Sequence, residues 1–163
     1  MQPGKILVAE HEGTFLVKMV GDVRLTLCCT IEDFIERMFS NPGFLAVTID
    51  VTEADGIDST SLGLLAKLAL QAKRRFQLIP SILSTNPNIT RLLESMGFNK
   101  VFDIQRQPLT SAEDFGELPI IACNEEDTRC KIIEAHQVLM GLNDKNRATF
   151  SELVTALETS KPS

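Results

Sequence analysis

Residues 44–51, FLAVTIDV, constrain the fold more than any other stretch of this chain. The run is apolar and rich in β-branched side chains, too short for a helix of ordinary length and suited to a strand buried on both faces. Asn41-Pro42-Gly43 breaks the chain ahead of it, and Asp58-Ser59-Thr60, residue types that cap helices, follow shortly after. A strand buried on both faces belongs in the middle of a sheet with parallel neighbours, and parallel neighbours need crossover connections of helical length.

The flanks supply those crossovers. Upstream, residues 6–10 and 14–20 are short β-rich runs separated by His11-Glu12-Gly13 and read as a hairpin ended by Gly21. Leu27, Ile31, Phe34, Ile35 and Met38 then recur at helical spacing over residues 25–39. Downstream, Leu62, Leu64, Leu65, Leu68, Ala69 and Ala72 place a second helix between Thr60 and about Arg75. Residues 76–83 form a further strand in which Pro80 argues for an edge or a bulge. Asn86-Pro87 opens a short helix over 88–96, Gly97 ends it, and residues 101–104 are a last strand. The order β-β-α-β-α-β-α-β predicts an α/β domain, a mixed sheet with helices packed on it, over residues 1–106.

Residues 107–118, with Pro, Gly, Ser and acidic side chains, read as a linker or short helix. Beyond it, Ile132, Ile133, Ala135, Val138 and Leu139 and then Phe150, Leu153, Val154 and Leu157 mark two amphipathic helices around Gly141-Leu142-Asn143-Asp144. Residues 119–163 are therefore expected as a helical hairpin that needs a surface to cover: the α/β domain, a second copy or a partner. This end is acidic. Of the net charge of -6 at pH 7, residues 107–163 contribute -5, with 5 basic against 10 acidic side chains, and residues 1–106 only -1.

No basic face is evident for nucleic acid, and no apolar run reaches the length of a membrane span, so the expected partner is protein and the expected location cytoplasmic. Cys28, Cys29, Cys123 and Cys130 show no disulfide framework, and with only His11 and His136 beside them no zinc spacing forms. Cys28 and Cys29, about 100° apart on a helix, read as core residues, and His136 as a solvated or packed side chain. Neither a phosphate cradle nor a Ser/His/Asp set can be assembled, so the expectation is no enzyme, no cofactor and no metal.

The informative stretch is Asp58-Ser59-Thr60-Ser61-Leu62-Gly63. Three hydroxyls at a helix start can be caps alone, or they can be a phosphorylation switch, because a helix N-terminus tolerates added negative charge. With the preceding strand, this stretch resembles the phosphorylatable loop of STAS domains, the anti-sigma factor antagonists of bacterial partner switching, whose pattern D-S-[ST]-G-L-G carries phosphate on its third residue. Residues 88–98 (NITRLLESMGF) resemble the family's third helix and exit, and the likeness spans residues 4–105.

The resemblance implies a binding module regulated in trans. Unphosphorylated, it would hold an anti-sigma factor that is also a serine/threonine kinase and so free the sigma factor. Phosphorylation at Thr60, or alternatively at Ser59 or Ser61, would end binding, and a PP2C-type phosphatase would restore it. Ser61 stands where the family commonly has Gly, and Arg24 in Gly21-Asp22-Val23-Arg24 replaces an acidic residue of the family motif. Arg24 is placed to hold the phosphate or pair with Asp58, or else to lie solvated. The implied partner-binding set is Asp22, Arg24, Asp55, Asp58, Ser59, Ser61 and Leu62. The alternative within the same fold is a scaffold or accessory subunit of a signalling or transport complex, and a monomer or weak dimer is expected.

Overall fold

The computed structural model describes residues 2–110 and 114–160. Strands β1 (Lys5–His11) and β2 (Thr14–Val23) form the hairpin, closed at Glu12 and Gly13, both with positive φ. Gly13 is required there: a Cβ would lie 2.0 Å from the Gly43 carbonyl oxygen. A 3-10 turn, Leu25–Leu27, leads into α1 (Cys28–Ser40). Then come β3 (Ala46–Ile57), α2 (Ser59–Phe76), β4 (Ser81–Leu83), α3 (Pro87–Ser95), a 3-10 turn Phe98–Lys100 and β5 (Asp103–Gln105). The element order matches the expectation, and the fold is the mixed α/β sheet the sequence pointed to.

The sheet runs β5-β4-β3-β2-β1-β6, where β6 is Gly116–Glu117. The β3 strand pairs in parallel with β2 and β4, and its Val47, Ile49 and Val51 are buried, which is why its sequence shows so little alternation. The core formed with α1 and α2 includes Met19, Ile35, Met38, Leu64, Leu65, Leu68, Ile82 and Phe98.

Several local expectations change. Gly21 does not end the hairpin, since β2 runs on to Val23, and the strand expected over 44–51 begins at Ala46, with Leu45 exposed, and continues to Ile57. The strand expected over 76–83 shrinks to Ser81–Leu83, because α2 continues to Phe76 and ends on Gln77 in the left-handed region. Pro80 marks neither an edge nor a bulge: it precedes β4, an interior strand, and its carbonyl accepts the Asp103 N–H. Residues 107–118 contribute β6, which pairs antiparallel with β1 at the sheet edge.

The hairpin of α4 (Glu125–Met140) and α5 (Asp144–Thr159) folds back onto the α/β unit, and α4 packs against α2. Its ends are fixed chemically. Asn124 and Asn143 cap the two helices through their side-chain oxygens, and the Asn146 amide donates to the carbonyls of Met96 and Leu139. Cys29 and Cys123 are joined as a disulfide, with Cα atoms 5.9 Å apart, correcting the expectation of cysteines outside any disulfide. The reason lies in the return of residues 118–124 along α1, where the Ile121 N–H also donates to Thr30, a contact that sequence spacing does not reveal.

Candidate functional site

The site forms where β3 ends and α2 begins. Asp58 is the N-cap of α2: one carboxylate oxygen accepts the Ser61 N–H at 2.8 Å and the other accepts the Leu25 N–H at 2.7 Å. One side chain thus satisfies a free donor of α2 and ties the helix start to the turn before α1. No acidic residue occupies the first turn of α2, so the free N–H groups and positive dipole end sit beside the hydroxyls of Ser59, Thr60 and Ser61.

The three hydroxyls have different surroundings. Ser59 is partly exposed, with Oγ 2.8 Å from His136 Nε2 on α4. Thr60 is 3% exposed and Ser61 0%, and the Ser61 hydroxyl has no hydrogen-bond partner among the described residues. Leu62, expected among the partner contacts, packs into the core at 1%. Asp55 is exposed on the strand leading in.

Arg24 does not pair with Asp58, whose oxygens are already used by backbone donors. Its Nε donates to Asp22 instead, and that hydrogen bond, reinforced by Asp22's charge, raises the guanidinium pKa further. Asp22 at the end of β2, beside β3, and Arg24 just past it form a pair, with the Arg24 side chain largely in solvent.

Three further residues complete the site, His136 among them as the packed one of the two states expected for it. His136 is 2% exposed, Gly63 lies directly beneath α4, and Lys67 reaches both Glu32 of α1 and Glu134 of α4. For Lys67, burial works against the charge, but bonds to Glu134 and Glu32 outweigh it and raise the pKa above its usual value. A raised folded-state pKa gives stability that is complete below the ordinary lysine value of about 10.4 and lost as pH climbs through the folded-state value. Lys67→Met should therefore cost about 3 kcal/mol at pH 7 by leaving Glu32 buried and unpaired, the low end for such a pair because Glu134 is half exposed. Denaturant titration at pH 7 and 11 checks this: the gap between unchanged chain and variant should narrow at the higher pH.

The sulfurs of Cys28, Cys29 and Cys123 lie within 4.8 Å of one another, and burial pushes the Cys28 thiol pKa up, which keeps it protonated and unreactive. Among the described residues no helix is long and apolar enough to cross a membrane.

Fold and site together define an α/β module whose candidate surface is a hydroxyl-bearing helix start at the end of the central strand. The STAS domain model matches residues 5–112, more than half of the chain, and the chain belongs to the STAS domain family. Its fold is similar to the crystal structure of an anti-sigma factor antagonist from Mycobacterium paratuberculosis, with a TM-score of 0.56 and 19% identity over 64% of this chain and 87% of that one. No curated relative matches the chain.

Proposed function

We propose that this chain is an anti-sigma factor antagonist acting by partner switching in the cytoplasm. Unphosphorylated, it binds an anti-sigma factor that is also a serine/threonine kinase and thereby releases a sigma factor. The kinase phosphorylates Thr60, the complex dissociates, and a PP2C-type phosphatase resets the switch. The chain is the substrate of these enzymes and not a catalyst. One observation carries the reading: Ser59, Thr60 and Ser61 sit in the first turn of α2, capped by Asp58, at the exit of the central strand of a STAS domain.

The energetics suit a switch. A phosphate adds about -1.5 to -2 charges beside Asp58, and burying it uncompensated in an interface costs several kcal/mol. At 1.4 kcal/mol per tenfold, that changes affinity several hundredfold or more. Asp22 at the end of the neighbouring strand and Arg24 just after it, with exposed Asp55, complete the proposed contact surface.

Affinity capture from the native cell with Thr60→Ala and Thr60→Glu baits tests the proposal. A kinase-type anti-sigma factor held by the alanine bait and absent from the glutamate bait is expected. The same proteins on both baits would contradict the switch and favour a constitutive scaffold.

A further inference from the structure

We propose that the α4–α5 hairpin is a self-docked occupant of the partner surface, so that the start of α2 at Ser59 and Thr60 becomes available only when α4 leaves α2. This rests on the function proposed above and concerns the control of that same site.

The contact follows one stripe of α2. Ser59 meets His136, Gly63 meets Ala135, and Lys67 meets Glu134; Leu70 and Arg74 continue beside Val138. Successive spacings of four, four, three and four residues place all five on a single helix face. That face is small, polar or charged except at Leu70. The sheet-facing side of α2, with Leu62, Leu65, Ala69 and Ala72, is apolar and already buried in the α/β core. On α2, uncovering the stripe exposes mainly groups that water solvates well, while on α4 the apolar surface given up is that of Ala135 and Leu139.

The closest point is Gly63, where a Cβ would lie 2.3 Å from the Ala135 carbonyl oxygen. Two helix backbones meet there with no side chain between them, one turn beyond the start of α2. His136 completes the closure. Its Nδ1 lies 2.7 Å from the Ile132 carbonyl oxygen, which can only accept, so in the neutral ring Nδ1 carries the proton. Nε2 is then the acceptor and the Ser59 hydroxyl the donor. The hydroxyl most open to solvent is thereby already engaged, while Thr60 and Ser61 are buried. The far end of α4 is held by polar bonds, Asn146 to Met96, Asn143 to Ser95, and Lys100 to the Leu142 carbonyl, beside the buried Leu139 and Leu142.

The test is alkylation of the full chain carrying Thr60→Cys by N-ethylmaleimide without reductant, followed peptide by peptide by mass spectrometry, with and without Ala135→Asp. The thiol introduced at position 60 should react at least tenfold faster when Ala135→Asp is present, with circular dichroism showing the α/β domain retained. If Ala135→Asp does not fold, His136→Ala combined with Asn146→Ala takes its place, with a rise of several fold expected. Equal rates in closed and opened chains overturn the proposal. Phosphate occupancy of residues 59–61 in the native cell separates the two readings. Higher occupancy in the Asn146→Ala chain supports the cap, equal occupancy overturns the cap and leaves the switch, and no phosphate in either chain overturns the switch while alkylation still decides the cap.

Discussion

Gly63→Ala is expected to destabilise the protein, although the same change in an ordinary helix interior stabilises by about 1 kcal/mol. The new methyl would lie 2.3 Å from the Ala135 carbonyl oxygen and 2.6 Å from its Cβ. Neither atom belongs to a flexible side chain that can rotate away, so α4 itself must move. Overpacking of this kind costs about 1–3 kcal/mol, occasionally more, and here it also strains the Ser59–His136 and Lys67–Glu134 contacts on either side. The clash outweighs the propensity gain, and a net loss of about 2 kcal/mol should lower Tm by roughly 4–8 °C. Calorimetry gives the sign directly: a higher Tm for Gly63→Ala would mean that α4 does not press on α2. Hydrogen exchange should localise the change, with amides of α4 and the first turns of α2 losing protection and β2 and β3 keeping theirs.

The second large effect is on binding. Thr60→Glu should weaken the complex with the kinase partner several hundredfold or more, whereas Thr60→Ala should bind as tightly as the unchanged chain. Within the free protein, the carboxylate gains from the helix dipole by about 0.3–1 kcal/mol. It also enters a position that is 3% exposed, where burying an unpaired charge costs more than the dipole returns. Thr60→Glu should therefore loosen the α4 cap in the free chain while blocking the complex, and isothermal titration with exchange mapping separates these two consequences. Equal affinities for Thr60→Glu and Thr60→Ala would remove the reason to place the switch at this residue.

Much of this was legible in the sequence, for identifiable reasons. The run that supplies buried Val47, Ile49 and Val51 of β3 and the 3.6-residue period of α1 and α2 carry strong hydrophobic patterns, and Asp58 and Asn86 are capping residues at the positions where α2 and α3 begin. Elements with weak patterns were misplaced or missed. The two-residue strand β6 has no periodicity to read, and β4 is short because α2 runs past Arg75 into what resembled the strand. The apolar stripe of α4 called for a surface, with the α/β domain among the candidates, but its place on α2 was hidden because the α2 residues it meets at Ser59, Gly63 and Lys67 are small or polar. Gly63 was the available signal, because a glycine inside a helix is costly unless another backbone comes close. His136 offered none, since nothing in its own helix marks Ser59, 77 positions earlier, as its partner.

The central claim, that Thr60 is the switch of an anti-sigma factor antagonist, is tested most directly by mapping phosphate on the chain isolated from its native cell, with and without phosphatase inhibition. Phosphate is expected on Thr60, increased by the inhibitor and absent from the fraction that co-purifies with the kinase partner. Phosphate confined to residues outside 59–61, or Thr60 phosphate present equally in the partner-bound fraction, would contradict it.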